Sequence, residues 1–347
     1  MKKTLLLMLG VVLCFVLMLF LGWEDVYAVM SRITFLQLLS LTMLQLGTLF
    51  ATSYLLHYLL KQKSPKVSLG SIFGINLAGS FVESVTPSVK LGGEALKVYL
   101  MQKETGLEYA QLTAITFLSK FFSMMPFLLI SLATLIVAFF SIELPLFVYL
   151  AFLGFLLFLG IFFLLFNLQG IHMRVAEKTA FKGRRTYPPF LIKIFGKMKK
   201  AYYFMMETSQ HAKTIIEDSR KRALLFGIAF VVWALYPVKV YLVAKMLGYN
   251  LNQVVVIIST YTAYLVSMIP LLPGGLATFE GTMALVLSSE GIASYEAFSI
   301  ALTTRVITFW IPLAISGCVT IYYINKAKSG EQLSNSNNSK QVMQVED

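Results

Sequence analysis

Long apolar runs alternate along this chain with two stretches where the apolar pattern is cut up by Gly, Ser, Pro and charge. Lys2 and Lys3 precede a run from Thr4 to Gly22, longer than the roughly 7 to 15 residues of a signal-peptide core. Trp23, Glu24 and Asp25 then occupy the place of a small-residue cleavage site, so the run predicts a retained first helix. A second span covers Thr34 to Leu60 and stops at Lys61, Lys63 and Lys66. Its basic end and Lys2–Lys3 mark the cytoplasmic side, which places a Glu24–Asp25 turn outside. A broken region, Leu69 to Met101, is followed by apolar spans at Leu107–Phe140, with Pro126 inside, and at Pro145–Asn167. After a hydrophilic loop the grammar returns: a span at Arg222–Leu247 with Pro237 inside, a broken region at Gln253–Gly291, and a last span at Tyr295–Ile324.

Composition agrees with the pattern. Charged residues are 13% of the chain and the mean hydropathy is +0.74, whereas a soluble domain carries about 25% charged residues. The net charge of +12 does not point to nucleic acid, because the excess is local. Between His172 and Arg222 stand 13 Lys/Arg against 4 Asp/Glu, the mark of a cytoplasmic loop. Within this loop (168–221), Phe190–Tyr203 suits either a helix lying on an anionic membrane surface or a solvated segment. Residues 325–347 are rich in Ser, Asn and Gln and are expected to be a disordered cytoplasmic tail. The expectation is a multi-pass protein of the cell membrane with both termini cytoplasmic and one membrane domain over 1–324. Cys14 and Cys318 both lie in apolar spans and imply no disulfide framework.

The two broken regions match in order. Ser84-Val85-Thr86-Pro87, Gly92-Gly93, Gly106, Lys120 and Pro126 in one correspond to Ser267-Met268-Ile269-Pro270, Gly274-Gly275, Gly291, Arg305 and Pro312 in the other. The interval from the isolated Gly to the basic residue is 14 in both. This predicts an internal duplication with units at about 34–140 and 222–324. If each broken region enters and leaves on one face, the first opens to the cytoplasm. The second then opens outside, where Glu280, Glu290 and Glu296 stand without Lys or Arg. The expected fold is an all-α polytopic membrane protein: an inverted repeat with two discontinuous, re-entrant helical hairpins, about six full crossings and roughly 8 to 10 helical segments. Two ordinary helices joined by a turn in each region would give about ten crossings with the same termini, and charge bias does not separate the two.

Intramembrane charge carries the functional reading. Arg305 lies about ten residues into its helix, ~15 Å along it, and Lys120 ~20 Å along if its helix begins near Leu107. Each costs about 2.5–3.5 kcal/mol on insertion scales, so such residues face a partner or a polar pathway. Arg305, Lys120 and Lys97 are the candidate phosphate or headgroup contacts. Glu94, Glu280 and Glu83 are their candidate carboxylate partners, with Asn76 as further polar lining. Gly92, Gly93, Gly274 and Gly275 are expected to form the turns and to present free backbone N–H groups to an anion. His57 and Lys239 are read as snorkelling or capping groups near helix ends. His57, His172 and His211 are scattered, and no phosphate-loop or nucleophile-elbow motif occurs in a usable context. No catalytic residue, metal or cofactor is therefore assigned.

The runs Thr86-Pro87…Gly92-Gly93-Glu94…Lys97 and Pro273-Gly274-Gly275-Leu276-Ala277-Thr278-Phe279-Glu280…Arg305…Pro312-Leu313 resemble the membrane domain of bacterial lysylphosphatidylglycerol synthases. That family includes the multiple peptide resistance factor and stand-alone flippase-like proteins. The resemblance covers roughly Thr4 to Ile324. It departs at Ala277, where a Gly is usual, and at Lys97 and Lys120, where Arg is usual; lysine keeps the charge but gives up bidentate phosphate geometry. The resemblance implies a flippase-like protein that translocates or binds a phospholipid such as phosphatidylglycerol or its lysylated form, with a role in cationic peptide resistance. Full-length synthases keep lysyl transfer in a separate soluble domain, so aminoacyl transfer is not expected of this sequence unless a partner enzyme supplies it. Handling of a polyprenyl-phosphate-linked lipid, or a non-transporting scaffold role, are the other readings. The expected partners are a phospholipid substrate and the membrane; oligomeric state is not legible.

Overall fold

The computed structural model describes residues 22–86, 91–141, 218–269 and 272–323, with scattered positions at 12–20, 146–157, 215 and 325. Apart from those positions, the expected first helix, the Pro145–Asn167 span, the basic loop and the tail lie outside the described residues, as do Pro87 and Pro270. All regular elements among the described residues are helical. They are α1 (Trp23–Met30), α2 (Phe35–Lys61), α3 (Leu69–Val85), α4 (Leu91–Thr105), α5 (Tyr109–Ser141), α6 (Ser219–Met246), α7 (Gln253–Ser267), α8 (Thr278–Leu287) and α9 (Ser294–Arg305). Beyond Arg305, α9 continues through a π turn, Val306–Trp310, so that one apolar helix runs from Ser294 to Tyr323.

Several helices start where the sequence supplies caps. Thr34 and Gln37 form a reciprocal box at the head of α2: Thr34 Oγ1 accepts from the Gln37 N–H at 3.4 Å, and Gln37 Oε1 accepts from the Thr34 N–H at 2.9 Å. Two backbone donors that a helix start leaves unpaired are thereby satisfied. Asp218 caps α6 by accepting the Arg220 N–H at 2.8 Å, and Asn252 caps α7 by accepting the Val254 N–H at 2.9 Å. The expected Glu24–Asp25 turn is instead the first turn of α1. Carboxylates there oppose the positive end of the helix dipole and favour helix over turn.

Among the described residues four helices are long and apolar enough to cross a membrane: Phe35–Lys61, Tyr109–Phe140, Ser219–Met246 and Ser294–Tyr323. Two of the six expected crossings fall outside the described residues. The broken regions are helical hairpins, α3 packed along α4 and α7 packed along α8. Their helices have 17, 15, 15 and 10 residues, each below the roughly 20 that a full crossing needs.

Among the described residues three apolar clusters hold the bundle. The first joins α1, the start of α2, the end of α6 and the α7–α9 segment; the second joins the end of α2 to α3, α4 and the starts of α5 and α6. The third fills the space among α5, α7 and Trp233 with Phe127, Ile258 and Tyr261. Pro237 leaves a carbonyl for another element to use. Pro237 has no N–H for the Trp233 carbonyl four residues back, and the Tyr261 O–H donates to that carbonyl at 3.1 Å. One turn ahead of Pro126, the Ser123 carbonyl accepts Trp233 Nε1–H at 2.6 Å. At the α6–α7 connection, Arg32 Nη1 donates to the Leu247 carbonyl and Tyr249 O–H donates to Glu296 Oε1 at 3.0 Å. Burial first, then Glu296, pushes the Tyr249 phenol up to about 12, so this strap keeps its proton at neutral pH.

Candidate functional site

Lipid is as apolar as leucine, so helices in a membrane associate by close contact at small residues rather than by hydrophobic drive. α3 and α4 do this through Gly79 and Gly93. A Cβ on Gly93 would run into the Gly79 carbonyl and the Glu83 side chain, and one on Gly79 into the Lys97 stem. The close approach brings Glu83, Glu94 and Lys97 together near the closed end of the hairpin, where α3 gives way to α4, and Lys120 from α5 joins them. Lys120 Nζ lies 2.7 Å from Glu94 Oε1 and 3.4 Å from Glu83 Oε1; Lys97 Nζ lies 3.4 Å and 3.5 Å from the same two oxygens. Two ammonium groups thus share two carboxylates. Lys97 is nearly enclosed, whereas the Lys120 side chain keeps 38% of its surface open.

The second hairpin builds a tighter pair. Arg305 Nε donates to Glu280 Oε1 at 3.0 Å, and Arg305 Nη2 donates to the Gly274 carbonyl. The guanidinium sits between two rings, its Cζ 4.6 Å from the Phe279 centroid and 4.3 Å from that of Phe309. Glu280 is fully enclosed, and its Oε2 is buried without a hydrogen-bond partner among the described residues. The turn Pro273–Gly275 has φ +64° at Gly274 and +65° at Gly275. A Cβ on Gly275 would come within 2.5 Å of the Ser267 Cβ. This turn differs from the expected anion cradle. Gly275 N–H is spent on the Leu272 carbonyl at 3.1 Å, and Gly274 offers its carbonyl to arginine. Gly92 lies in the first turn of α4, next to residues outside the described set.

Lys120 and Arg305 stand at the same height in their helices, each eleven residues after the first, Tyr109 and Ser294. That is ~16 Å along the axis, so Lys120 lies nearer the start of its helix than the ~20 Å expected. Both open onto one cavity of about 370 Å³ between the hairpins, shared with Glu83, Glu94, Lys97 and Asn76. Gly274 and Gly275 line it as well, while Glu280 stands behind Arg305. Beside Leu56, Met124, Val232, Met268 and Leu272, its remaining wall carries aromatic and hydroxyl groups. Trp233, Tyr236 and Tyr264 meet at centroid distances of 5.0–5.7 Å, and Thr52, Ser80, Ser84, Thr116 and Thr308 give their protons to carbonyls of their own helices. Those hydroxyls therefore face the cavity with acceptor lone pairs.

One reading is corrected. Lys239 neither snorkels nor caps: it is 0% exposed, with Nζ 2.6 Å from Gln45 Oε1, 3.1 Å from Thr48 Oγ1 and 4.2 Å from the Tyr236 ring centroid. α6 packs against α2 at that level and runs on to Met246, so the amine is enclosed well before the helix reaches its end. His57 is likewise buried, and its Nδ1 has no partner among the described residues. Sequence reading also passed over Gln45 and the Trp233–Tyr236–Tyr264 wall. A lone amide in an apolar span was the available signal.

Ala277 heads α8 with φ +64° and ψ −36°, a strained region for a residue with a Cβ. Ala277→Gly is expected to raise stability by about 1 kcal/mol, after allowance for glycine's extra freedom in the unfolded chain. Thermal unfolding of the detergent-solubilised protein checks this; a lower melting temperature would contradict it.

The profile of the lysylphosphatidylglycerol synthase TM region matches residues 7–316. A UPF0104 membrane protein of Methanothermobacter thermautotrophicus is 21% identical over 332 residues, covering 94% of this chain and 97% of its own length. A UPF0104 membrane protein of Pyrococcus horikoshii is 23% identical over 335 residues, covering 92% and 97%.

Proposed function

We propose that this chain, which belongs to the family of lysylphosphatidylglycerol synthase transmembrane regions, holds the phosphate-bearing headgroup of a membrane lipid in the cavity between its two hairpins and passes it between leaflets. The observation that carries this reading is the convergence of Glu83, Glu94 and Lys97 from the first hairpin, Lys120 from α5 and Arg305 from α9 on one cavity. Charge at that depth is costly unless it meets a partner or a polar pathway, and irregular backbone is tolerated there only inside protein or along a wet cavity. The short hairpin helices and the matched heights of Lys120 and Arg305 support an inverted pair of re-entrant units, the plan on which alternating access operates in many transporters. In this mechanism Lys120 and the remaining guanidinium N–H groups of Arg305 take the phosphate oxygens, and Glu83 and Glu94 release their lysines as the phosphate arrives. The hydroxyl and carboxylate acceptors receive the headgroup's O–H or N–H donors, while the acyl chains stay in the bilayer. Partner-supplied lipid modification has no observation here that favours it.

Cavity occupancy is the direct test. On a background lacking Cys14 and Cys318, Ser119→Cys places a thiol on the cavity wall, and Ser31→Cys places one on an exposed turn. Short-chain phosphatidylglycerol is expected to slow modification of position 119 by a hydrophilic thiol reagent at least severalfold and to leave position 31 unchanged. Equal rates with and without lipid at position 119 would refute the reading.

A further inference from the structure

We propose that Lys239 contributes an uncompensated positive charge that makes the central cavity select headgroups with one net negative charge, a phosphodiester with no balancing ammonium. This rests on the reading of the cavity as a lipid-headgroup site. At the cavity and directly behind its wall, the buried or half-buried charges among the described residues are four cations, Lys97, Lys120, Lys239 and Arg305, against three carboxylates, Glu83, Glu94 and Glu280. Lys97, Lys120 and Arg305 each have a carboxylate oxygen within 3.5 Å. Lys239 has none among the described residues; its neighbours are the Gln45 amide, the Thr48 hydroxyl and the face of Tyr236.

The geometry fits an ammonium rather than a neutral amine. An ammonium has three N–H donors and accepts nothing. Gln45 meets Nζ with its carbonyl oxygen, and Thr48 spends its own proton on the Gln45 backbone carbonyl at 2.7 Å, leaving a lone pair toward Nζ. The Tyr236 face completes the set, as the negative side of the ring quadrupole favours a cation. Every contact is an acceptor, and the three stand at 2.6, 3.1 and 4.2 Å.

Tyr236 also lines the cavity, so one aromatic ring separates this charge from the headgroup space. In a weakly screened interior a unit charge acts across such a distance. A headgroup carrying one negative charge balances the surplus. A zwitterionic headgroup leaves the surplus in place, and a cationic one adds to it. Lys239 thus sets which headgroup is preferred without touching it, and Arg305 and Lys120 make the contact.

The test compares binding of dihexanoyl phosphatidylglycerol and dihexanoyl phosphatidylethanolamine to purified protein by ligand-induced thermal shift. Wild type is expected to bind the anionic lipid about tenfold more tightly. Lys239→Met is expected to lose that preference by weakening the anionic lipid alone, and Lys239→Arg to retain it. Lys239→Gln, which keeps an amide donor toward Gln45 and Thr48 without charge, substitutes if the Met variant does not fold. A preference that survives in the uncharged variants, or both affinities falling together, overturns the proposal. The absence of any preference in wild type, measured without substitution, does so as well. Binding of both lipids with no preference defeats only the role of Lys239, whereas binding of neither also defeats the headgroup reading.

Discussion

Arg305→Met alone is expected to destabilise the protein by about 3–5 kcal/mol, and Arg305→Met combined with Glu280→Leu to recover most of that loss. The asymmetry follows from burial. Glu280 is 0% exposed and Arg305 5%, so neither water nor salt screens the survivor when one partner is removed. In the single variant the Glu280 carboxylate loses the donor 3.0 Å away, while its other oxygen already lacks one among the described residues. Removing both charges leaves an apolar pocket already walled by Phe279 and Phe309, where leucine and methionine pack without an orphaned charge. Chemical unfolding of the two singles and the double closes a double-mutant cycle. A double variant as unstable as the worse single would show that the pair does not act as a unit.

Gly93→Leu is expected to have an effect of similar size by a steric route. Insertion of extra methylenes into a packed site typically costs about 1–3 kcal/mol, and this site lies at or beyond the upper end. The group that a side chain would meet is the Gly79 carbonyl, main chain in the middle of α3, which cannot turn aside as a flexible side chain does. Relief requires α3 and α4 to part, which carries Glu83 away from Glu94 and breaks the carboxylate pair shared by Lys97 and Lys120. The variant is therefore expected to lose both stability and lipid binding. Gly227→Leu, at a helix position with open space around it, serves as a control and is expected to stay near wild type. Equal behaviour of the two would contradict the role assigned to the close contact.

Much of this architecture was legible in the order of residues. Helix ends followed local signals: the second expected span, Thr34–Leu60, became α2 with Thr34 as its cap, and the last, Tyr295–Ile324, became the helix Ser294–Tyr323. The pairing of Lys120 and Arg305 on one cavity had a sequence signal, since each follows an isolated glycine, Gly106 or Gly291, by 14 residues. Single-copy features escaped. Lys239 meets Gln45 and Thr48 across 194 and 191 residues, and no local pattern encodes a contact between two apolar spans. The turn expected at Glu24–Asp25 failed for another reason. The charge bias that put Glu24–Asp25 outside carries no information on conformation, and the same pair is what the start of a helix prefers. The expected anion cradle at Gly274–Gly275 depended on φ and ψ, which decide whether N–H or carbonyl faces inward.

Lipid movement is the claim on which the account stands, and proteoliposome flux measures it most directly. Vesicles containing the wild-type chain and fluorescent phosphatidylglycerol should equilibrate the lipid between leaflets faster than empty vesicles. The stable Arg305→Met/Glu280→Leu protein should fall to the empty-vesicle rate. A double variant that folds and still moves lipid as fast as wild type would contradict the account, because the cavity between the hairpins would then not be the path.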